Sequence, residues 1–248
     1  SMRHIHKLIV MSSTYRQTSN TSASQRLIDP SNTWITRTPR IRMSAEMVRD
    51  NALEISGLLS TKMHGPPIYP PQPNGIWRHV GRNAPKYIAA TNEDRFRRGV
   101  YVVWRRGAPY VSFMNFDAPD RGSCVVRRAQ TNTPLQALTL LNDQAYVEMA
   151  MAFAERIIEH NSATTEERIN FAYLTALSRN PQAAEIRFLK PIIQRQLNRF
   201  KNNPKTANEL VKGIKGWKPS GKTKISELAA WFYITNILLN LDETITKN

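Results

Sequence analysis

A chain of 248 residues with 35 Lys and Arg against 19 Asp and Glu has a net charge of +16, enough length for one or two domains and a strongly basic surface. Its single cysteine, Cys124, excludes an intramolecular disulfide, a CxxC redox pair and a cysteine-based zinc finger. No apolar run approaches the roughly 18 residues of a membrane span, so no membrane insertion is expected.

The opening SMRHIHKLIVMSS lacks the apolar core and cleavage site of a secretory signal, and periodic residues are already in place there. Such an abrupt start is expected of a fragment of a longer protein, and equally of a Ser-Met cloning remnant. Ile5, Leu8 and Ile9 predict a helix within residues 3–13. Ser44 precedes a second, with Met47, Val48, Ala52, Ile55, Leu58 and Leu59 on one stripe, and both helices are expected in the core. From about Ser60 to Asn92 periodicity gives way to Pro66, Pro67, Pro70, Pro71, Pro73 and Pro85 with Gly65, Gly75 and Gly81, which predicts irregular chain. Val100–Trp104, the turn-like RGAP and the alternating YVSFMNF then predict a small β-hairpin. Residues 60–128 thus form one irregular insertion rich in Arg, Pro and aromatics.

The second half carries helix punctuation. Thr133 as cap, Pro134 at the first helical position and Gln136 in the capping-box position predict a helix start. Asn142-Asp143 offers a break and a fresh cap before Val147, Ala150, Ala154, Ile157 and Ile158, and Thr164 with Glu167 opens another helix carrying Phe171, Ala172, Ala176 and Leu177. Asn180-Pro181 repeats the cap-plus-proline signal before Phe188, Leu189, Ile192, Ile193 and Leu197, a helix that Pro191 should kink or split. Lys201, Lys205, Lys212, Lys215, Lys218, Lys222 and Lys224 among Gly, Asn and Pro predict a flexible loop over 201–224. Ser226 then opens a last helix with Leu228, Trp231, Ile234, Leu238, Leu241 and Ile245. The predicted fold is mainly α: a single helical domain with an irregular, Pro-rich middle that has room for a short β-hairpin.

Chemistry concentrates between Arg95 and Asp143. Eight arginines and no lysine lie from Arg95 to Arg128, interleaved with Tyr101, Trp104, Tyr110, Phe113 and Phe116. Guanidiniums fork onto carboxylates, sulfates and phosphates and stack on rings. The bland reading pairs them with Glu46, Asp50, Glu93, Asp94, Asp117 and Asp120, six carboxylates for eight arginines. The surplus makes Arg98, Trp104, Arg105, Arg106, Arg121, Arg127 and Arg128 candidate anion-binding residues. Thr131, Asn132 and Thr133 join them, because a helix N-terminus beside arginines attracts anions, although the same three side chains also suit plain capping.

Asp117, Asp120 and Glu46 are the candidates for acid-base catalysis. The stronger reading of the two aspartates is structural: one before Ala-Pro caps a turn and one beside Arg121 pairs with it. Cys124 with His64 or His79 has no supporting spacing as a nucleophile and base, and a small buried thiol is expected instead. His4 and His6 point to different sides of a helix and make no metal pair. No metal and no cofactor is assigned.

In order along the chain, HKLIVMSSTYRQTS, MSAEMVRDNALEISG, GPPIYPPQPNGIW, RRGVYVVWRRGAPYVSFMNFDAPDRGSCVVRRAQTNTPLQALTLLND and ELAAWFYITNILLNLDETITK resemble the PSD1 domain (DUF1553). The family is typical of planctomycetes and related bacteria. The resemblance implies an extracytoplasmic setting (periplasmic or cell surface) and a larger parent protein with an upstream PSCyt2 (DUF1549) domain, often with a c-type cytochrome domain. It carries over no catalytic residues, since the family's biochemical function is not established. Two positions depart from the family's pattern. Gln144 stands where Pro is usual, which leaves Asp143 as cap, and Gly122-Ser123 replaces a frequent Glu-Val, which removes any glutamate base there.

Three functions are compatible with these residues. The first is a non-enzymatic extracytoplasmic binding or assembly module that docks on its parent's upstream domains or on an acidic or sulfated polysaccharide. The second is a nucleic-acid-binding helical domain, supported by the charge and by the helix pair from Thr133 to His160. The third is a polysaccharide-active enzyme using Asp117, Asp120 or Glu46. The first is favoured.

Overall fold

The structure, a computed structural model, describes residues 1–79, 86–214 and 216–247. Gly81, Pro85, Lys215 and the side chain of His79 lie outside the described residues. Two compact units are present, Ser1–Met43 with Ile245–Asn248, and Ser44–Thr244.

The smaller unit holds helices α1 (Met2–Met11) and α2 (Ala23–Ile28) and a two-stranded antiparallel sheet, β1 (Ile41–Arg42) with β2 (Thr246–Lys247). Ile41 faces Lys247 and Arg42 faces Thr246. A reciprocal capping box between Ser22 and Gln25 starts α2. After it, Asp29 accepts from the amides of Thr33 and Trp34 at 2.8 and 3.1 Å and closes the turn. Helix α1 forms where the periodicity places it, but it is not a core helix: none of its residues is buried. This unit is rich in Ser, Thr and Asn, and its own Leu27, Ile28 and Trp34 are exposed, so it has little apolar surface to cover Ile5, Leu8 and Ile9.

The larger unit contains α3 (Ala45–Ser56), α4 (Val111–Asn115), α5 (Pro134–Asn142), α6 (Gln144–Glu159), α7 (Thr165–Leu177), α8 (Ala183–Asn202), α9 (Pro204–Gly213) and α10 (Ile225–Leu239), followed by α11 (Asp242–Ile245). Helix α10 is apolar on all sides, and a helix of that kind belongs inside. Leu228, Trp231, Ile234 and Leu238 are each at most 1% exposed, and α10 packs against α5, α6, α7, α8 and α9. Helix α6, whose Met149, Ala150 and Ala154 are buried, is its main partner, and the hydroxyl of the fully buried Thr235 donates to the Ala150 carbonyl at 2.7 Å. Helix α3 packs on α6.

The mainly helical class holds, but three local expectations change. The strands lie at β1 and β2 and not at residues 100–116, where a 3-10 turn (Gly99–Tyr101) and α4 stand. The apolar run does extend beyond the turn, yet Val103 donates to Ile68 and Ile68 to Tyr101, at 2.9 and 2.8 Å, so its partner is the Pro-rich segment. The lysine stretch 201–224 is not a plain loop. Asn203 caps α9, and Ala207 and Val211 are buried, a helical spacing that the Lys and Asn composition masked. Beyond α9, the Ser220 amide and hydroxyl donate to Glu155 and Glu159 of α6, both at 2.7 Å. Finally, α8 begins at Ala183 after Gln182 and runs unbroken through Pro191, which sits on the exposed face where water can satisfy the freed carbonyl.

Candidate functional site

The arginines of the middle segment separate into two populations. Arg95 and Glu148 form a pair in which the residues are 5% and 2% exposed. Arg97, also buried, donates to the carbonyls of Lys62, His64 and Pro66, lies 3.7 Å from Asp94 and stacks 4.1 Å over Tyr101. Arg49 of α3, which the sequence reading overlooked, sends one guanidinium nitrogen to the Arg97 carbonyl and another to the Arg95 carbonyl, each at 2.6 Å. These three buried arginines fasten an irregular chain onto α3 and α6, and backbone carbonyls outside regular structure supply most of the acceptors. Burial pushes Glu148 up to about 7 against the pull of Arg95. Asp50 is likewise raised by burial, despite the Gly99 amide at 2.6 Å, the nearby Arg49 and Arg98 at 3.6 Å.

Arg98–Asp50, Arg97–Asp94 and Arg128–Glu46 realise the expected pairings, and Glu93 takes the hydroxyl of Ser60 instead. Arg105 stacks over Trp77 at 5.0 Å. At Glu46 burial opposes ionisation, but hydrogen bonds from Arg128 and the backbone outweigh it and hold the carboxyl below its ordinary range.

Among the described residues Asp117 and Asp120 pair with no arginine. Asp117 sits in the left-handed region at φ 59° and accepts from the Thr131 amide at 2.7 Å and the Thr131 hydroxyl at 2.9 Å. The Thr131 hydroxyl in turn accepts from the Gln136 amide at 3.1 Å. This explains why α5 lacks the expected capping box: Gln136, 1% exposed, reaches back to Thr131, and Thr133 makes no side-chain cap bond. Asp120 accepts from the Gly122 amide at 2.9 Å, while its carbonyl faces the Trp104 indole N–H at 3.4 Å. Each carboxylate is therefore engaged in local structure, and Glu46 is tied to Arg128.

Every residue from Asp120 to Leu135 is exposed. Beside this stretch an open cleft of about 420 Å³ is lined by Arg106, Pro119, Arg121, Gly122, Ser123, Cys124, Val125 and Arg128. Arg121 lies 4.7 Å over the Trp104 ring, which stacks on Phe113. Among the described residues Arg106 and Arg121 have no carboxylate partner, and no lining residue is acidic. Three guanidiniums around a space with a serine hydroxyl can fork onto sulfate, phosphate or carboxylate oxygens. Asp117, Asp120 and Glu46 do not line this space.

Of the candidate anion residues the cleft brings together Arg106, Arg121 and Arg128, with Trp104 beneath Arg121. Arg98 and Arg105 are engaged elsewhere, Thr131 is held by Asp117, and Arg127, Asn132 and Thr133 are exposed outside the lining. Pro119, Gly122, Ser123, Cys124 and Val125 were missed as wall residues. Their only signal was position, in a non-periodic run between arginines. Cys124 is exposed, against the expectation of a buried thiol, because its loop has no apolar surface to fold under. His64 donates its amide to Tyr101 and offers its carbonyl to Arg97, neither of which lines the cleft.

A mainly helical protein with an arginine-lined cleft on an exposed loop, and with no helix among the described residues long and apolar enough to cross a membrane, is the class these features define. The chain belongs to the PSD1 family, described as protein of unknown function (DUF1553), whose model matches residues 1–193, the cleft included. No curated protein and no solved structure matches it.

Proposed function

We propose that this chain is a non-enzymatic binding module whose cleft takes the anionic groups of an acidic or sulfated polysaccharide. The observation that carries this reading is the composition of the cleft: among the described residues Arg106, Arg121 and Arg128 line it, no carboxylate does, and of the three arginines only Arg128 has an acidic partner. Arginine forks match sulfate and carboxylate oxygens, and the Trp104 ring beneath Arg121 supports that guanidinium at the edge of the cleft. Engagement of Asp117, Asp120 and Glu46 by local partners weighs against a pair of free carboxylates for glycoside chemistry.

In this reading the module works outside the cytoplasm, as part of a larger protein with PSCyt2 and c-type cytochrome domains. Membership of the PSD1 family supports that setting. Duplex DNA is the competing ligand, on the strength of the +16 charge. Binding of a sulfated heparin-type glycan, a neutral glycan and duplex DNA at matched salt tests the proposal. The sulfated glycan should bind most tightly and the neutral glycan least. Tightest binding to duplex DNA, with a steep salt slope, would replace this function with nucleic-acid binding.

A further inference from the structure

The walls of the cleft, apart from Arg106, come from a single loop, residues 118–130. At its base, Asp117 leaves the end of α4 with its amide on the Met114 carbonyl at 3.2 Å, and Asn115 of α4 donates to the Thr139 hydroxyl of α5 at 2.8 Å. The two ends of the loop thus spring from two helices already bonded to each other. Across the neck, one carboxylate takes both the amide and the hydroxyl of Thr131, and that hydroxyl in turn accepts from the buried Gln136 amide. Hydrogen bonds to an ionised carboxylate are the strong ones, and two on one residue fix direction as well as distance. The left-handed backbone at Asp117, which an aspartate tolerates better than most side chains, turns its carboxylate back across the neck.

Above the neck the loop is weakly held. Its residues from Asp120 onward are all exposed, and its ties are Asp120–Gly122, Trp104–Asp120, the Arg121–Trp104 stack and Arg128–Glu46. A compact surface loop with close ends takes its shape from the closure of those ends and from its own packing. With no residue buried past Asp120, closure dominates.

We infer that the Asp117–Thr131 clamp, backed by Gln136, is the positioning element of the anion site: it sets the loop that places Arg121 and Arg128 opposite Arg106. This rests on the anion-binding reading of the cleft, in which Asp117 and Thr131 touch no ligand themselves. Thr131 was a candidate ligand contact and Asp117 a candidate catalytic acid. Both act instead through the arginines.

The test uses the whole chain with Thr131→Val, which removes the hydroxyl but keeps shape and the amide bond, and Thr131→Ser, which restores the hydroxyl. Three measurements are compared: trypsin cleavage after Arg121, Arg127 or Arg128, thermal unfolding, and affinity for a sulfated heparin-type oligosaccharide. Thr131→Val should be cut in the loop about tenfold faster and bind about tenfold more weakly, the scale of a lost hydrogen bond to a charged group, with cooperative unfolding retained. Thr131→Ser should match the parent in all three. A Thr131→Val loop cut at the parent's rate overturns the clamp, and faster cutting with undiminished affinity overturns its positioning role. If the parent does not bind the oligosaccharide, the anion-binding reading alone has failed, and the contrast between Val and Ser in proteolysis still decides the clamp.

Discussion

A guanidinium nitrogen of Arg128 lies 2.7 Å from the Glu46 carboxylate, so one side chain both walls the cleft and pairs with α3. An arriving anion has to share that guanidinium with Glu46. Glu46→Gln should therefore raise affinity for a sulfated oligosaccharide, by up to about fivefold given that exposed ion pairs are worth at most about 1 kcal/mol. Titration calorimetry on the parent, Glu46→Gln, Arg128→Ala and the double variant checks it. The gain should vanish on the Arg128→Ala background, and a gain that survives there would show that Glu46 acts through general charge.

Gly216 and Arg95 are similarly coupled. Gly216 has φ 89°, and a Cβ placed on it would overlap the Arg95 guanidinium. Gly216→Ala should cost about 1–3 kcal/mol, combining backbone strain with overpacking at the buried Arg95–Glu148 pair. Urea unfolding would show the lowered midpoint, and an unchanged midpoint would place the glycine away from the pair in solution.

Glu148 gives a pH signature. Burial raises its carboxyl from 4.5 to about 7, so the folded protein holds this proton more tightly than the unfolded chain. The stabilising contribution is complete below the unfolded value, falls as pH rises through the window from 4.5 to about 7, and is absent above it. Denaturant midpoints measured across this window should drop more steeply for the parent than for Glu148→Gln. Parallel curves for the two proteins would assign the pH dependence to other groups.

Loss of Arg49 should damage the attachment of the irregular middle to α3. This arginine is 1% exposed and serves the carbonyls of both Arg95 and Arg97 with one planar fork. Lysine has a single ammonium and cannot span both acceptors, so Arg49→Lys should cost about 1–3 kcal/mol by leaving a buried carbonyl without its donor. Thermal unfolding checks this, and a shift of less than a degree would contradict it.

Local chemistry was legible wherever the sequence spelled out its own partners. Asp143 caps α6 and Thr164 with Glu167 forms a reciprocal box at α7, because both depend on spacings of two or three residues. The apolar stripe of α10 likewise announced a core helix. Pairings across long stretches of chain were not legible. β1 meets β2 two hundred residues later in chains of two residues each, and Arg95 finds Glu148 on α6 in preference to the nearer acids. The arginine cluster at residues 106–128 was visible as a composition, but its cleft depends on Asp117 choosing Thr131 over Arg121, a choice between two good donors that geometry alone makes.

The most direct test of the anion site is calorimetric titration of a sulfated oligosaccharide into the parent and into Arg106→Ala/Arg121→Ala/Arg128→Ala at one fixed salt concentration. Removing three charged contacts should weaken binding by about a hundredfold or more while leaving the helical fold intact. Equal affinity of the two proteins would place the interaction on the general basic surface and contradict the account of the cleft.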